Sequence, residues 1–271
     1  MVELLLISSV LVAFLTTFLI MPAWIKRAKK AGLTGKDINK TSKEIIAEAG
    51  GIIVILGFIL GVLIYIAIKT FYLKSSDNLI EIFALLSTIL LVSFIGMIDD
   101  ILGWKIGLGK KTRIWLVLFA SIPLIVVNAG TPTIYLPFVG RISIGLIYPL
   151  ILIPIGIIGA SFSFNILAGY NGLEAGQGII LLSALAVISA ATGTTWLSLI
   201  ALCMIAPLIA FLYFNKYPSK VFPGDVMTYS VGALIAIMAI LGNYELFAIF
   251  IFIPYIIEVG LKLRGKLKKE S

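Results

Sequence analysis

The chain has 271 residues, 61% of them hydrophobic and only 13% charged, with 21 Lys and Arg against 13 Asp and Glu for a formal net charge of +8. That balance places it among integral membrane proteins. The absence of His and the presence of one Cys exclude a disulfide framework, the usual zinc, copper and iron–sulfur ligand sets, and general-base schemes that need imidazole.

Crossing about 30 Å of hydrocarbon takes about 20 apolar residues as a helix. Nine stretches approach this: 3–24, 51–70, 79–98, 114–128, 145–164, 178–193, 196–214, 228–243 and 246–263. They predict an all-α polytopic bundle of about nine transmembrane helices in a single domain, residues 1–271. The first stretch lacks a basic leader and is followed by its positive charges, so it reads as a retained helix rather than a cleaved signal. Gly57, Gly61 and Gly96 in the second and third stretches, and Pro149, Pro154, Gly156 and Gly159 in the fifth, read as helix-packing features. The fourth and sixth stretches are short. Residues 128–145, with Gly130, Pro132, Pro137 and Gly140, suggest a short external hairpin, and Cys203 falls inside the seventh helix as a small apolar residue.

Eighteen of the 21 basic residues fall in segments 25–50, 99–113, 215–227 and 262–271, and Lys69, Lys74 and Arg141 fall on the other side. The positive-inside rule then puts the N-terminus outside and the C-terminal tail in the cytoplasm. The same distribution accounts for the net charge without nucleic acid, for which there is no motif. Asn39, Lys40 and Thr41 form a glycosylation sequence on the cytoplasmic side, which reads as a chance match. Lys262, Arg264, Lys266, Lys268 and Lys269 read as an anchor near anionic headgroups.

The uncommon polar residues collect on that cytoplasmic side. Asp99 and Asp100 end the third helix, where ionised groups are costly, and Lys105, Lys110, Lys111 and Arg113 follow. Two adjacent carboxylates facing a basic loop suggest metal-assisted chemistry on phosphates. Lys110, Lys111 and Arg113 alone equally satisfy the orientation rule. Residues 165–178 bring two Asn, four Gly and Glu174 to a helix mouth. Glycines there allow close backbone approach to a ligand and Asn offers donors and acceptors, the alternative being a helix cap with a turn. Asp225 follows a Pro-Gly turn at the start of the eighth helix, where metal binding and helix capping both fit. Glu48, before Gly50 and Gly51, has the same ambiguity as a helix boundary. Any metal served by these groups is hard and oxygen-ligated, Mg²⁺ or Mn²⁺.

Four segments carry a resemblance: GKDINKTS at 35–42, GMIDD at 96–100, NILAGYNGLEAGQ at 165–177 and YPSKVFPGD at 217–225. With them the chain resembles, over about residues 20–260, the polyprenyl-phosphate N-acetylhexosamine-1-phosphate transferases, and most of all the eukaryotic and archaeal branch that uses dolichyl phosphate. The resemblance implies transfer of N-acetylglucosamine 1-phosphate from UDP-GlcNAc to a polyprenyl phosphate with release of UMP, the first membrane step of lipid-linked oligosaccharide synthesis. It implies a location in the plasma membrane of a prokaryote or the endoplasmic reticulum of a eukaryote. A homodimer is compatible with it.

By the same resemblance, Asn165 and Asp225 match metal ligands, and Asp99 and Asp100 match the essential acidic pair. One scheme has Asp99 orient or deprotonate the acceptor phosphate with Asp100 held near the metal. Phe222 matches a residue that stacks on uracil, Asn171 lies in the base- or ribose-recognising segment, and Glu48 matches an acid of the first loop. A family Lys falls at Lys111, with Lys110 and Arg113 as alternatives. Related enzymes carry, after the ninth helix, a loop with an Arg/His motif and a tenth helix, to which residues 1–271 contain no match. A bacterial-type phospho-N-acetylmuramoyl-pentapeptide or undecaprenyl-phosphate GlcNAc-1-phosphate transferase is the runner-up. An ion-coupled transporter is disfavoured because the acids sit at helix ends and no internal repeat is found.

Overall fold

A computed structural model of the protein describes residues 2–37, 44–136, 140–167 and 169–265. Asn39, Lys40 and Thr41, most of the 35–42 motif, Pro137, Ala168 and the tail lysines Lys266, Lys268 and Lys269 lie outside the described residues. The described chain forms helices α1 (Val2–Ala31), α2 (Gly51–Ala67), α3 (Leu79–Ile106), α4 (Lys110–Ala120), α5 (Ile122–Val126), α6 (Ile153–Ile166), α7 (Leu173–Ala191), α8 (Thr195–Asn215), α9 (Gly224–Gly242), α10 (Glu245–Ile251) and α11 (Ile253–Arg264). Strands β1 (Thr34–Lys36) and β2 (Ile45–Ala47) pair antiparallel, as do β3 (Thr133–Leu136) and β4 (Gly140–Ser143). The second pair realises the expected hairpin.

Helix α9 is the centre of the molecule. Every residue from Val226 to Leu241 is buried, the signature of a helix apolar on all sides and surrounded by others. Helices α3 and α6 reach it through glycine. A Cβ at Gly96 of α3 would lie 2.6 Å from the Val226 nitrogen, and one at Gly232 of α9 would lie 2.5 Å from the Ala160 carbonyl oxygen of α6. Only hydrogen at these positions permits such backbone contact. The approach at Gly96 matters for function, because it brings the next turn of α3 against the first turn of α9.

Among the described residues seven helices are long and apolar enough to cross a membrane, and the pair α10 and α11, bent by 59°, makes an eighth if counted as one span. The molecule is an integral membrane protein. Of the about nine helices expected, the fourth stretch falls on α4 and α5 and the ninth on the bent pair α10 and α11. Pro123 and Pro254 each sit in the first turn of a new helix, α5 and α11, where proline has no N–H to give and its ring excludes the carbonyl four residues back. The α4–α5 pair nevertheless packs against α3 and α6 and is tied to α9 at its two ends: Arg113 meets Tyr229 at one, and the Thr131 amide donates to Asn243 Oδ1 at 2.8 Å just beyond the other. Likewise α11 returns to the end of α6, where Lys262 Nζ donates to the Ile166 carbonyl at 2.6 Å. Helix α3 breaks at Gly103 (φ 65°, ψ −177°), a conformation that essentially only glycine adopts, and the chain then folds back over Asp99.

Candidate active site

Four helix ends, those of α3, α4, α6 and α9, supply the polar groups, and the acidic pair divides between two tasks. Asp100 Oδ1 accepts the Asp225 N–H at 2.7 Å and Asp100 Oδ2 accepts the Val226 N–H at 3.2 Å. These are N–H groups of the first turn of α9, which have no partner within their own helix. No side chain at the N-cap position of α9 serves them; Asp100 caps the helix from α3. Gly224 completes the fit, since its φ is +72° and a Cβ there would lie 2.2 Å from Asp100 Oδ2. Capping, weighed above for Asp225, therefore falls to Asp100, and the Asp225 side chain is left to face the site.

Asp99 is 5% exposed and engages both oxygens. Oδ1 accepts the Leu108 N–H at 2.8 Å, and Oδ2 pairs with Arg113 Nη2 at 2.7 Å. Arg113 is also 3.6 Å from Asp225 Oδ2 through Nη1, donates from Nη1 to the Tyr229 hydroxyl at 3.1 Å and from Nε to the Leu108 carbonyl at 2.9 Å. The guanidinium thus stands between two carboxylates of different helices, a bridging role that suits its planar set of donors. Across Asp225, Asn165 Nδ2 donates to Asp225 Oδ1 at 2.7 Å and to Thr228 Oγ1 at 2.8 Å.

Beside this cluster opens a cavity of about 410 Å³, with Asn165, Glu174, Asn215, Phe222, Asp225 and Thr228 among its lining residues. The Phe222 backbone is pinned to the first loop: its N–H donates to the Ala47 carbonyl at 2.8 Å and its carbonyl accepts the Gly50 N–H at 2.9 Å. Asn215 ties the same segment to the start of α7, donating to the Val221 carbonyl at 2.8 Å and accepting the Gly172 N–H at 3.0 Å. Asn171 donates to Asp37 Oδ2 at 3.0 Å, joining the α7 turn to the first loop, and Asp37 lines the cavity too.

Asp99, Arg113, Asn165 and Asp225, singled out in the sequence, come together in one network, and Phe222 joins Asn165 and Asp225 on the cavity wall. Of the three basic candidates, Arg113 reaches the carboxylates, while Lys110 and Lys111 are exposed. Glu48 packs over Gly35, where a Cβ would lie 2.2 Å from its Oε1, and burial raises its pKa above the ordinary carboxylate value. Thr228 and Tyr229 carry no expectation from the sequence, and Asp37 and Asn215 carry one only as members of the polar clusters on the cytoplasmic side. Thr228 and Tyr229 follow Asp225 by three and four residues, the spacing that shares one helix face, and this signal was available to find them.

Among the described residues no three Asp, Glu, His or Cys form a metal cluster. The donors beside the cavity are one carboxylate, Asp225, one amide, Asn165, and the Thr228 hydroxyl. This sparse, hard set fits Mg²⁺, which takes one or two carboxylates and completes its shell with water and substrate phosphate. Asn165 would present its amide oxygen after a half turn of the amide.

A family model described as "Glycosyl transferase family 4" matches residues 82–243. A Saccharolobus solfataricus protein provisionally named UDP-N-acetylglucosamine–dolichyl-phosphate N-acetylglucosaminephosphotransferase is 42% identical over 97% of this chain and 79% of its own length. The Dictyostelium discoideum protein of that name is 30% identical over 91% of this chain and 68% of its own. A Bacillus subtilis protein provisionally named undecaprenyl-phosphate N-acetylglucosaminyl 1-phosphate transferase is 28% identical over 93% and 67%.

Proposed function

The chain belongs to glycosyl transferase family 4, and from that premise we propose that it transfers N-acetylglucosamine 1-phosphate from UDP-GlcNAc to a dolichyl-type polyprenyl phosphate on the cytoplasmic face of the membrane. The names of its relatives support the substrates. The observation that carries the proposal is the network of Asp99, Arg113, Asn165 and Asp225 beside a cavity walled by Phe222. The concentration of Lys and Arg on that side supports its orientation.

In the reaction an oxygen of the acceptor phosphate attacks the β-phosphorus of UDP-GlcNAc in line, the bond from that phosphorus to the oxygen bridging the α-phosphorus breaks, and UMP leaves. The second pKa of a phosphate monoester is about 6, so much of the acceptor is dianionic at neutral pH and no strong base is required. That agrees with Asp99, whose two oxygens are both engaged and which acts by holding Arg113. Arg113 offsets repulsion between the phosphates, Asp225 and Asn165 would hold Mg²⁺, and Phe222 stacks on uracil. When bound, Mg²⁺ screens the donor diphosphate and steadies the charge that develops on UMP. Positioning and electrostatics then supply the rate. Purified protein given UDP-GlcNAc and a polyprenyl phosphate should release UMP and form GlcNAc-diphospho-polyprenol. Absence of both products under conditions where the protein stays folded would reject the proposal.

A further inference from the structure

The end of α6 is thinly held by its own helix. The Leu167 N–H reaches the Ser163 carbonyl only at 3.4 Å, beyond the usual range for such bonds, and the last carbonyls of a helix have no partner within it. Helix α11 supplies the support. Lys262 Nζ donates to the Ile166 carbonyl at 2.6 Å, which sets a cation at the negative end of the helix dipole, and the Tyr255 ring stacks on Phe164 with centroids 5.5 Å apart. Phe164 and Ile166 are the two neighbours of Asn165.

Tyr255 and Lys262 lie two turns apart on one face of α11. Tyr255 is buried, and its hydroxyl donates to Gln177 Oε1 at 2.5 Å, which ties α7 to the same face. Much of the rest of α11 is apolar and exposed, Ile253, Ile256, Ile257, Leu261 and Leu263 among it. These contacts of α11 with other helices therefore meet the two ends of the motif at 165–177.

The chemistry of Asn165 gives this grip a use. Its Nδ2 is held by Asp225 Oδ1 and Thr228 Oγ1. To offer its amide oxygen to a cation shared with Asp225, the amide makes a half turn that carries Nδ2 away from both acceptors. The side chain then loses its own anchors, and the backbone on either side decides where the oxygen sits.

We propose that Lys262 is a positioning residue for divalent-cation binding, holding the end of α6 so that Asn165 ligates alongside Asp225. The inference rests on the reading of Asn165 and Asp225 as metal ligands and adds the residue that steadies one of them.

The test is equilibrium binding of Mn²⁺ alone to the purified full chain in detergent, read from the electron paramagnetic resonance signal of the free ion. Thermal unfolding without metal establishes that each variant folds. Lys262→Met keeps the apolar stem and removes the donor; Lys262→Gln, with a shorter neutral side chain, stands in should the Met variant not fold. Either should weaken Mn²⁺ binding about 10-fold, the low end for partners that orient metal ligands, and Lys262→Arg, which restores a charged donor, should recover most of it. The sign separates this role from simple electrostatics, since loss of a positive charge acting only through space would tighten the binding of a cation. In an Asn165→Ala background the Lys262 substitution should cost nothing more, because the ligand it steadies is gone. Unchanged or tighter Mn²⁺ binding by a folded Lys262→Met or Lys262→Gln, or an equal further loss in the Asn165→Ala background, would overturn the role of Lys262 while leaving the metal ligands standing. Mn²⁺ binding unaffected by Asn165→Ala, or absent from the wild type, would instead overturn the metal reading and this inference with it.

Discussion

Asp100 of α3 holds the N-terminus of α9 by accepting the backbone N–H of Asp225 at 2.7 Å. Two residues 125 positions apart are thereby fixed with one carboxylate as the clamp and the other as the group displayed. The adjacent Asp99 accepts the Leu108 N–H and pairs with Arg113 instead. The neighbours of the acidic pair should therefore fail differently. Asp100→Asn places an amide NH₂ against a backbone N–H and should cost about 1–2 kcal/mol, the range for loss of a helix cap, seen as a lowered Tm. Asp99→Asn keeps an acceptor for the Leu108 N–H and should lower turnover by orders of magnitude with a smaller change in Tm. Calorimetry and initial rates on both variants check this; equal Tm losses would contradict the division of roles.

Of the three basic candidates, Arg113 is the one that reaches the carboxylates. Arg113→Lys keeps the charge but cannot contact Asp99, Asp225, Tyr229 and the Leu108 carbonyl together. Its kcat/KM should fall by at least 10²-fold, whereas Lys110→Ala and Lys111→Ala should stay within several-fold of wild type, since catalytic groups displaced by about 1 Å lose about 10²-fold. Steady-state kinetics of the three variants decide; a Lys111→Ala loss as large as that of Arg113→Lys would move the role to Lys111.

Mg²⁺ should be required and should bind at Asp225. Turnover should vanish with excess chelator and return with Mg²⁺. Independently of turnover, saturating Mg²⁺ should stabilise the wild type, by about 2.7 kcal/mol at a hundredfold excess over Kd, and should leave the Tm of Asp225→Ala unmoved. A stabilisation retained in Asp225→Ala would place the ion elsewhere.

Burial raises the pKa of Glu48, so the folded protein holds that proton more tightly than the unfolded chain. Stability contributed at low pH is then lost as pH rises from the ordinary carboxylate range through the raised value. Glu48→Gln removes the loss. Its Tm should match wild type at pH 4 and exceed it at pH 8, read by thermal unfolding in detergent; a variant less stable than wild type at pH 8 would show that the ionised side chain is held by favourable partners.

Much of this was legible in the sequence because hydrocarbon imposes a simple rule of length and apolarity. Residues 51–70 and 196–214 needed no more than that to be recognised as helices. Breaks at Pro123 and Pro254 were less legible, since proline is tolerated within membrane helices such as α1, which continues through Pro22, and only packing decides the outcome. The polar residues of the site were found because charge and amide groups are rare in such a chain. Their partners were not: Asp99 and Asp100 are identical neighbours, and only the approach at Gly96 determines which meets α9. Lys110, Lys111 and Arg113 likewise differ in reach because a helical turn carries Arg113 inward and leaves both lysines exposed.

The most direct measurement of the central claim follows the β-phosphorus. UDP-GlcNAc carrying ³²P only in its β-phosphate is incubated with the purified protein, Mg²⁺ and a polyprenyl phosphate, and label is counted in the lipid and in the released nucleotide. Transfer of sugar 1-phosphate predicts that the label moves to the lipid and that the nucleotide product is unlabelled UMP. Label retained in released UDP, with unlabelled sugar on the lipid, would mean that the sugar–oxygen bond breaks instead and would contradict the account.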